Sequence, residues 1–228
     1  MGHLISAHIA RDKPDANRLA KLPSSIGYRV YFHQSAHVYV IDAFRASRPT
    51  DYPFQTPVPA ADIPLEFPAE LNDLESVQGY LSKRKLANSF KTTYINFGLL
   101  LNSLLSTPIL SIISDDDEWD FACFVDEGAL QRLNCRCGDL LVTYERGETR
   151  IQPLIPPYET DDEFLTNLDD LRTAIPHITV DDRNVTWDTQ LHAISIQEWR
   201  RFSGTDTLIL GLGSFDPAKD EADWKLIG

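Results

Sequence analysis

Residues 109–154 read ILSIISDDDEWDFACFVDEGALQRLNCRCGDLLVTYERGETRIQPL. Short apolar runs alternate here with acidic or glycine-bearing breaks. Ile109–Ile113 and Phe121–Val125 flank SDDDEWD, which predicts an antiparallel hairpin with an acidic tip. Asp139–Tyr144 and Thr149–Leu154 flank ERGE and predict a second hairpin. Between the hairpins, Glu127–Leu133 is expected to form one or two turns of helix. The stretch as a whole predicts a meander of about four strands.

Toward the N-terminus, a helix ending before Pro108 is expected over Phe90–Leu105, with Phe97, Leu100, Leu101, Leu104 and Leu105 apolar. Leu71, Leu74, Val77 and Leu81 recur at three- and four-residue spacing and predict another helix. Its acids come early (Glu70, Asp73, Glu75) and its bases late (Lys83, Arg84, Lys85), in keeping with the helix dipole. Residues 48–68 hold six prolines and form a connection with little regular structure. Before it, Tyr28–Phe32 and His37–Phe44 predict a hairpin, residues 11–27 a loop, and Ile5, Ala7 and Ile9 a first strand.

Toward the C-terminus, Thr160 with Asp161, Asp162 and Glu163 after it opens a helix bearing Phe164, Leu168 and Leu171. Ile178–Val180 and Val185–Trp187 predict short strands, Ser195–Phe202 a helix and Thr207–Leu212 a late strand. The tail carries Trp224 and Ile227, apolar residues able to dock. The expected fold is α+β: an antiparallel sheet of hairpins with helices packed on one face. One domain spans 1–228, comprising N-terminal strands (1–47), the proline-rich connection (48–68) and a main body (69–228).

Charge is distributed unevenly. Residues 1–60 carry +3, residues 61–110 carry −1, and residues 111–228 carry −15. Phosphate recognition needs clustered Lys and Arg, so nucleic acid is excluded as the main partner. Anionic membranes are disfavoured for the same reason, and no stretch approaches the ~18 to 20 apolar residues of a membrane span. The N-terminus has no basic start, apolar block and small-residue cleavage site, and so no secretory signal is expected. Cys123, Cys135 and Cys137 form no even disulfide framework, which points to reduced thiols in a cytoplasm.

Several clusters are candidates for chemistry. Asp115, Asp116, Asp117, Glu118 and Asp120 surround Trp119. This run can dock a basic partner, hold a divalent cation, supply paired acid and base carboxylates, or merely solvate a hairpin tip. The alternating acids, central glycine and distal glutamate of a calcium loop are missing. Asp126 and Glu127 share the tip's face only if the hairpin register brings them there. Cys135 and Cys137 lack the paired spacing or histidine partners of a zinc site. GLGS at 211–214 comes after an apolar run, but a helix beyond it would be interrupted by Pro217, so it reads as a turn and not a dinucleotide loop. No nucleophile elbow, phosphate loop or zinc-protease motif occurs.

Two functions are consistent with these residues. The first is a cytoplasmic protein-binding module without cofactor, metal or catalytic residue, whose acidic face docks or neutralises a basic protein such as a toxin or effector. Bacterial immunity proteins offer a physical analogy in charge and size, with no shared motif. The expected contacts are Asp115, Asp116, Asp117, Glu118, Trp119 and Asp120, with Asp161, Asp162 and Glu163 as a second patch. The alternative is a small-molecule-binding or hydrolytic enzyme with a pocket of His33, His37, Tyr39 and Asp42 on the N-terminal hairpin.

Overall fold

A computed structural model describes residues 5–49, 53–54, 71, 74, 76–77, 79, 92–115, 119–137, 140–153, 169–176, 178–180, 194–203 and 224–228. The strands are β1 (Ile5–Ala10), β2 (Ile26–His33), β3 (Val38–Arg45), β4 (Ile109–Asp115), β5 (Trp119–Asp126), β6 (Ala129–Cys137), β7 (Leu140–Glu145), β8 (Glu148–Pro153), β9 (Thr179–Val180) and β10 (Trp224–Leu226). The helices are α1 (Ala16–Leu19), α2 (Thr92–Leu105) and α3 (Ile194–Ser203), and residues 169–174 are also helical.

All ten strands join one sheet in the order β10-β2-β3-β1-β4-β5-β6-β7-β8-β9. Neighbours are antiparallel except β8 and β9, so the class is mixed α and β with a mainly antiparallel sheet. The N-terminal strands are therefore integral to the sheet: β1 lies between β3 and β4. The tail docks as expected, with Trp224 opposite His33 on β2.

The meander of 109–154 forms, but with five strands. Residues 129–133, expected to be helical, belong to β6. The cause is the turn before it. Glu127 and Gly128 both have positive φ (51° and 76°), and Asp126 pairs with Ala129 across them. That is the geometry of a two-residue hairpin turn whose twist suits antiparallel strands, and glycine adopts it without strain. Arg146 and Gly147 repeat it between β7 and β8, at φ 54° and 86°. The loop expected over 11–27 contains the single turn α1, where the Asp15 carboxylate accepts from the Asn17 N–H at 2.8 Å.

Strand alternation gives the sheet two faces with separate apolar clusters. On the first face Ile109, Ile113, Phe121, Cys123, Val125 and Leu133 pack under Tyr94, Phe97 and Leu101 of α2. Leu71, Leu74, Val77 and Leu171 join this cluster, in keeping with the apolar spacing of their segments. On the second face Ala7, Ile9, Val40, Leu110, Ile112 and Ala122 pack under Trp199 and Phe202 of α3. Helices thus cover both faces, which corrects the expectation of one. The reason lies in β4 and β5, which carry buried apolar residues on both faces (Ile109, Ile113, Phe121 and Val125 on one, Leu110, Ile112 and Ala122 on the other) and need cover on each side. Trp199 is fully buried, and its ring alone contributes about 4 to 6 kcal/mol of apolar burial.

Candidate functional site

Strands β4 and β5 form the central hairpin, on which the expected acidic run falls. Pairing of β4 with β5 runs from Ile109↔Val125 to Asp115↔Trp119, with Ser114 opposite Asp120. Asp116, Asp117 and Glu118 connect Asp115 to Trp119 and lie outside the described residues, as do Asp161, Asp162 and Glu163. The register separates Asp126 and Glu127 from this tip. They form the turn at the other end of β5, six residue steps or roughly 20 Å away.

The N-terminal hairpin divides the alternative pocket. His33 pairs with Val38, Tyr31 with Val40 and Arg29 with Asp42, so His33 and Asp42 share one face. The Tyr31–Val40 row stands between them, and four residue steps separate them by roughly 13 Å. Tyr39 lies on the opposite face, packed against Phe32, and His37 is exposed in the turn with φ 50°. His33 is buried edge-on against Trp224, and its Nδ1 accepts from the Ala36 N–H at 3.1 Å. Asp42 is fully buried; its Oδ1 accepts from the Phe54 N–H at 2.9 Å, and its Oδ2 lies 3.7 Å from Arg29 Nε. Burial raises the Asp42 carboxyl above its ordinary range, and the Phe54 N–H and Arg29 offset this in part. The arrangement ties Phe54 to β3.

A second polar row crosses the first face beneath α2. His8, Ser111 and Cys123 are directly paired across β1, β4 and β5. His8 Nδ1 lies 2.8 Å from Ser111 Oγ, and its ring meets Phe97 edge-on. All three residues are 0 % exposed. Burial lowers the His8 pKa to about 3 and raises that of the Cys123 thiol to about 12, so both are neutral at pH 7. A nucleophilic cysteine needs the opposite shift and access to substrate. The row is therefore part of the core.

The second face changes character at β6. Across β1, β4 and β5, Ala7, Ile9, Leu110, Ile112, Ala122 and Phe124 pack in one cluster with Trp199 and Phe202 of α3. Across β6, β7 and β8 the same face carries two polar rows: Arg132–Glu145–Glu148 and Asn134–Thr143–Arg150. With Arg146 and Arg201 they line a groove of about 550 Å³. Glu198 of α3, itself buried, holds three of the lining side chains. Its carboxylate accepts from Arg132 Nε at 3.0 Å, Asn134 Nδ2 at 2.8 Å and Arg201 Nη1 at 3.2 Å. Arg132 also lies over the Phe124 ring, 4.5 Å from its centre. Sequence reading missed this site because β6 was expected to begin as helix. The signal was the alternation of Arg132 and Asn134 with Leu133 and Cys135.

No cluster of three His, Cys, Asp or Glu side chains suited to a metal ion occurs among the described residues, and no described helix is long and apolar enough to cross a membrane. No family model matches the chain, and no curated protein or solved structure matches it.

Proposed function

We propose that this chain is a cytoplasmic protein-binding module that docks or neutralises a basic protein, in the manner of an immunity protein, through the acidic run around Trp119. The observation that carries the reading is the β4–β5 register. Its last described pair is Asp115↔Trp119, and the three residues between them in sequence, 116–118, are all acidic. Acids in the rest of the described chain are often already matched: Asp15 pairs with Arg18, Asp42 with Arg29, Asp169 with Arg172, and Glu198 with Arg132 and Arg201. Exposed carboxylates steer a basic partner into encounter, and an aromatic among them supplies contact area.

The test is capture from native lysate with the wild-type chain, at low and at high salt. A parallel variant carries Asp115→Lys, Asp116→Lys and Asp117→Lys, and a control carries Glu127→Lys, Asp169→Lys and Asp170→Lys. A basic protein retained by wild type and control at low salt, but lost by the hairpin variant and at high salt, supports the reading. Equal retention by both variants contradicts it. The alternative small-molecule site on the N-terminal hairpin has less support, because Tyr31 and Val40 separate His33 from Asp42.

A further inference from the structure

We infer that the groove over β6, β7 and β8 is a binding site for a small organic oxyanion, a phosphate or carboxylate. In residues 111–228 acids outnumber bases by fifteen, yet Arg132, Arg146, Arg150 and Arg201 all line this one groove. Glu198 contacts three of the lining residues, Arg132, Asn134 and Arg201. It accepts from Nε of Arg132 and Nη1 of Arg201, which restrains both guanidinium groups while each arginine still lines the groove. A carboxylate holding two arginines orients them in the way an anion clamp requires. Arg150 makes no ion pair or hydrogen bond with any described residue, and it shares a cross-strand row with the neutral donors Asn134 and Thr143.

The volume suits a small molecule and is too small for a folded partner. The far rim adds selectivity. Glu145 and Glu148 are directly opposite each other and exposed, and like charges so paired repel. A ligand that carries an ammonium or hydroxyl donors beyond its anionic end relieves this repulsion. The groove therefore favours a bipolar ligand, with its anion toward Arg150 and its donors toward the Glu145 and Glu148 carboxylates.

The experiment titrates the purified full chain, ¹⁵N-labelled, with inorganic phosphate, succinate and phosphoethanolamine. Chemical shifts of the Asn134 side-chain amide and arginine Nε groups are followed in wild type, Arg150→Gln and Arg172→Gln. Saturable shifts at Asn134 with phosphate or succinate, tighter binding of phosphoethanolamine, and about tenfold weakening in Arg150→Gln alone support the site. Phosphate and succinate together distinguish the two anion classes, since the preferred head group binds more tightly. Thermal melts of both variants that match wild type show that weakening reflects the site and not unfolding. Absence of saturation for all three probes, or equal weakening in Arg150→Gln and Arg172→Gln, overturns the inference.

Discussion

Glu198 and Arg132, separated by 66 residues in sequence, form an ion pair of 3.0 Å that joins α3 to β6 at the point where the second sheet face turns from apolar to polar. The pair is asymmetric. The Glu198 side chain is 2 % exposed, while Arg132 is 22 % and Arg201 58 % exposed. Removing the carboxylate and removing a surface arginine therefore have different costs.

Glu198→Ala leaves Arg132 and Asn134 without their acceptor at the helix–sheet junction and is expected to cost about 3 kcal/mol. Arg201→Gln removes a partner already in water and is expected to cost less than about 1 kcal/mol. Urea denaturation of both variants checks the order. Equal losses would show that the pair contributes no more than a surface bridge.

The buried imidazole makes stability depend on pH with a definite sign. The His8 pKa is lowered from 6.5 to about 3 in the folded chain, so the unfolded chain takes up the proton first. Stability is then complete above pH 6.5 and is lost as pH falls toward 3, by on the order of 4 kcal/mol. Asp42 acts in the opposite direction. Its raised pKa favours the protonated folded form, so its contribution is lost as pH rises above 3.8. Denaturation curves between pH 3 and 7 should be shallower in pH for His8→Gln than for wild type. For Asp42→Asn the acid loss should be steeper. Parallel curves for wild type and His8→Gln would show that His8 is not the source.

α2 approaches β4 through Gly98. A methyl group there would lie 3.1 Å from Ser111 Oγ and 3.3 Å from Val125 Cγ2. Ser111 cannot withdraw freely, because it is held by His8 at 2.8 Å. Gly98→Ala is expected to destabilise by about 1 kcal/mol despite the better helix propensity of alanine. In a Ser111→Ala background the same change should be neutral or stabilising. Additive losses in the double variant would mean that the hydroxyl is not the obstacle.

Cys123 should resist alkylation in the native chain. Its thiol is fully buried and its pKa raised to about 12 by burial, an effect that hydrogen bonding with Ser111 only partly offsets. Mass spectrometry after iodoacetamide treatment at pH 8 should find Cys123 unmodified until denaturant is added. Rapid native labelling would contradict its position in the core.

Much of the fold was legible in the residues. Alternation in β1 and β2, the β-branched and aromatic residues of β3 and the apolar runs of β4 and β5 marked strands, and Ser195–Phe202 was legible as a helix. Which face that helix covers was not legible, because β4 and β5 carry apolar residues on both faces and the choice is made by long-range packing. The place of β1 between β3 and β4 was hidden for the same reason, since a hundred residues separate His8 from its partner Ser111. The groove was lost to a single local error. Glu127-Gly128 is a hairpin turn, and reading it as the start of a helix dissolved the strand that aligns Arg132 and Asn134 with β7 and β8. The β4–β5 hairpin was legible because an acidic run interrupts two apolar ones.

The most direct measurement uses a partner captured by the wild-type chain and tracks its association rate by surface plasmon resonance across ionic strength. The expected rate falls steeply with salt for wild type, and is slower and nearly salt-independent when Asp115, Asp116 and Asp117 are changed to lysine. Identical rates and salt slopes for the two chains would contradict recognition through the acidic hairpin tip.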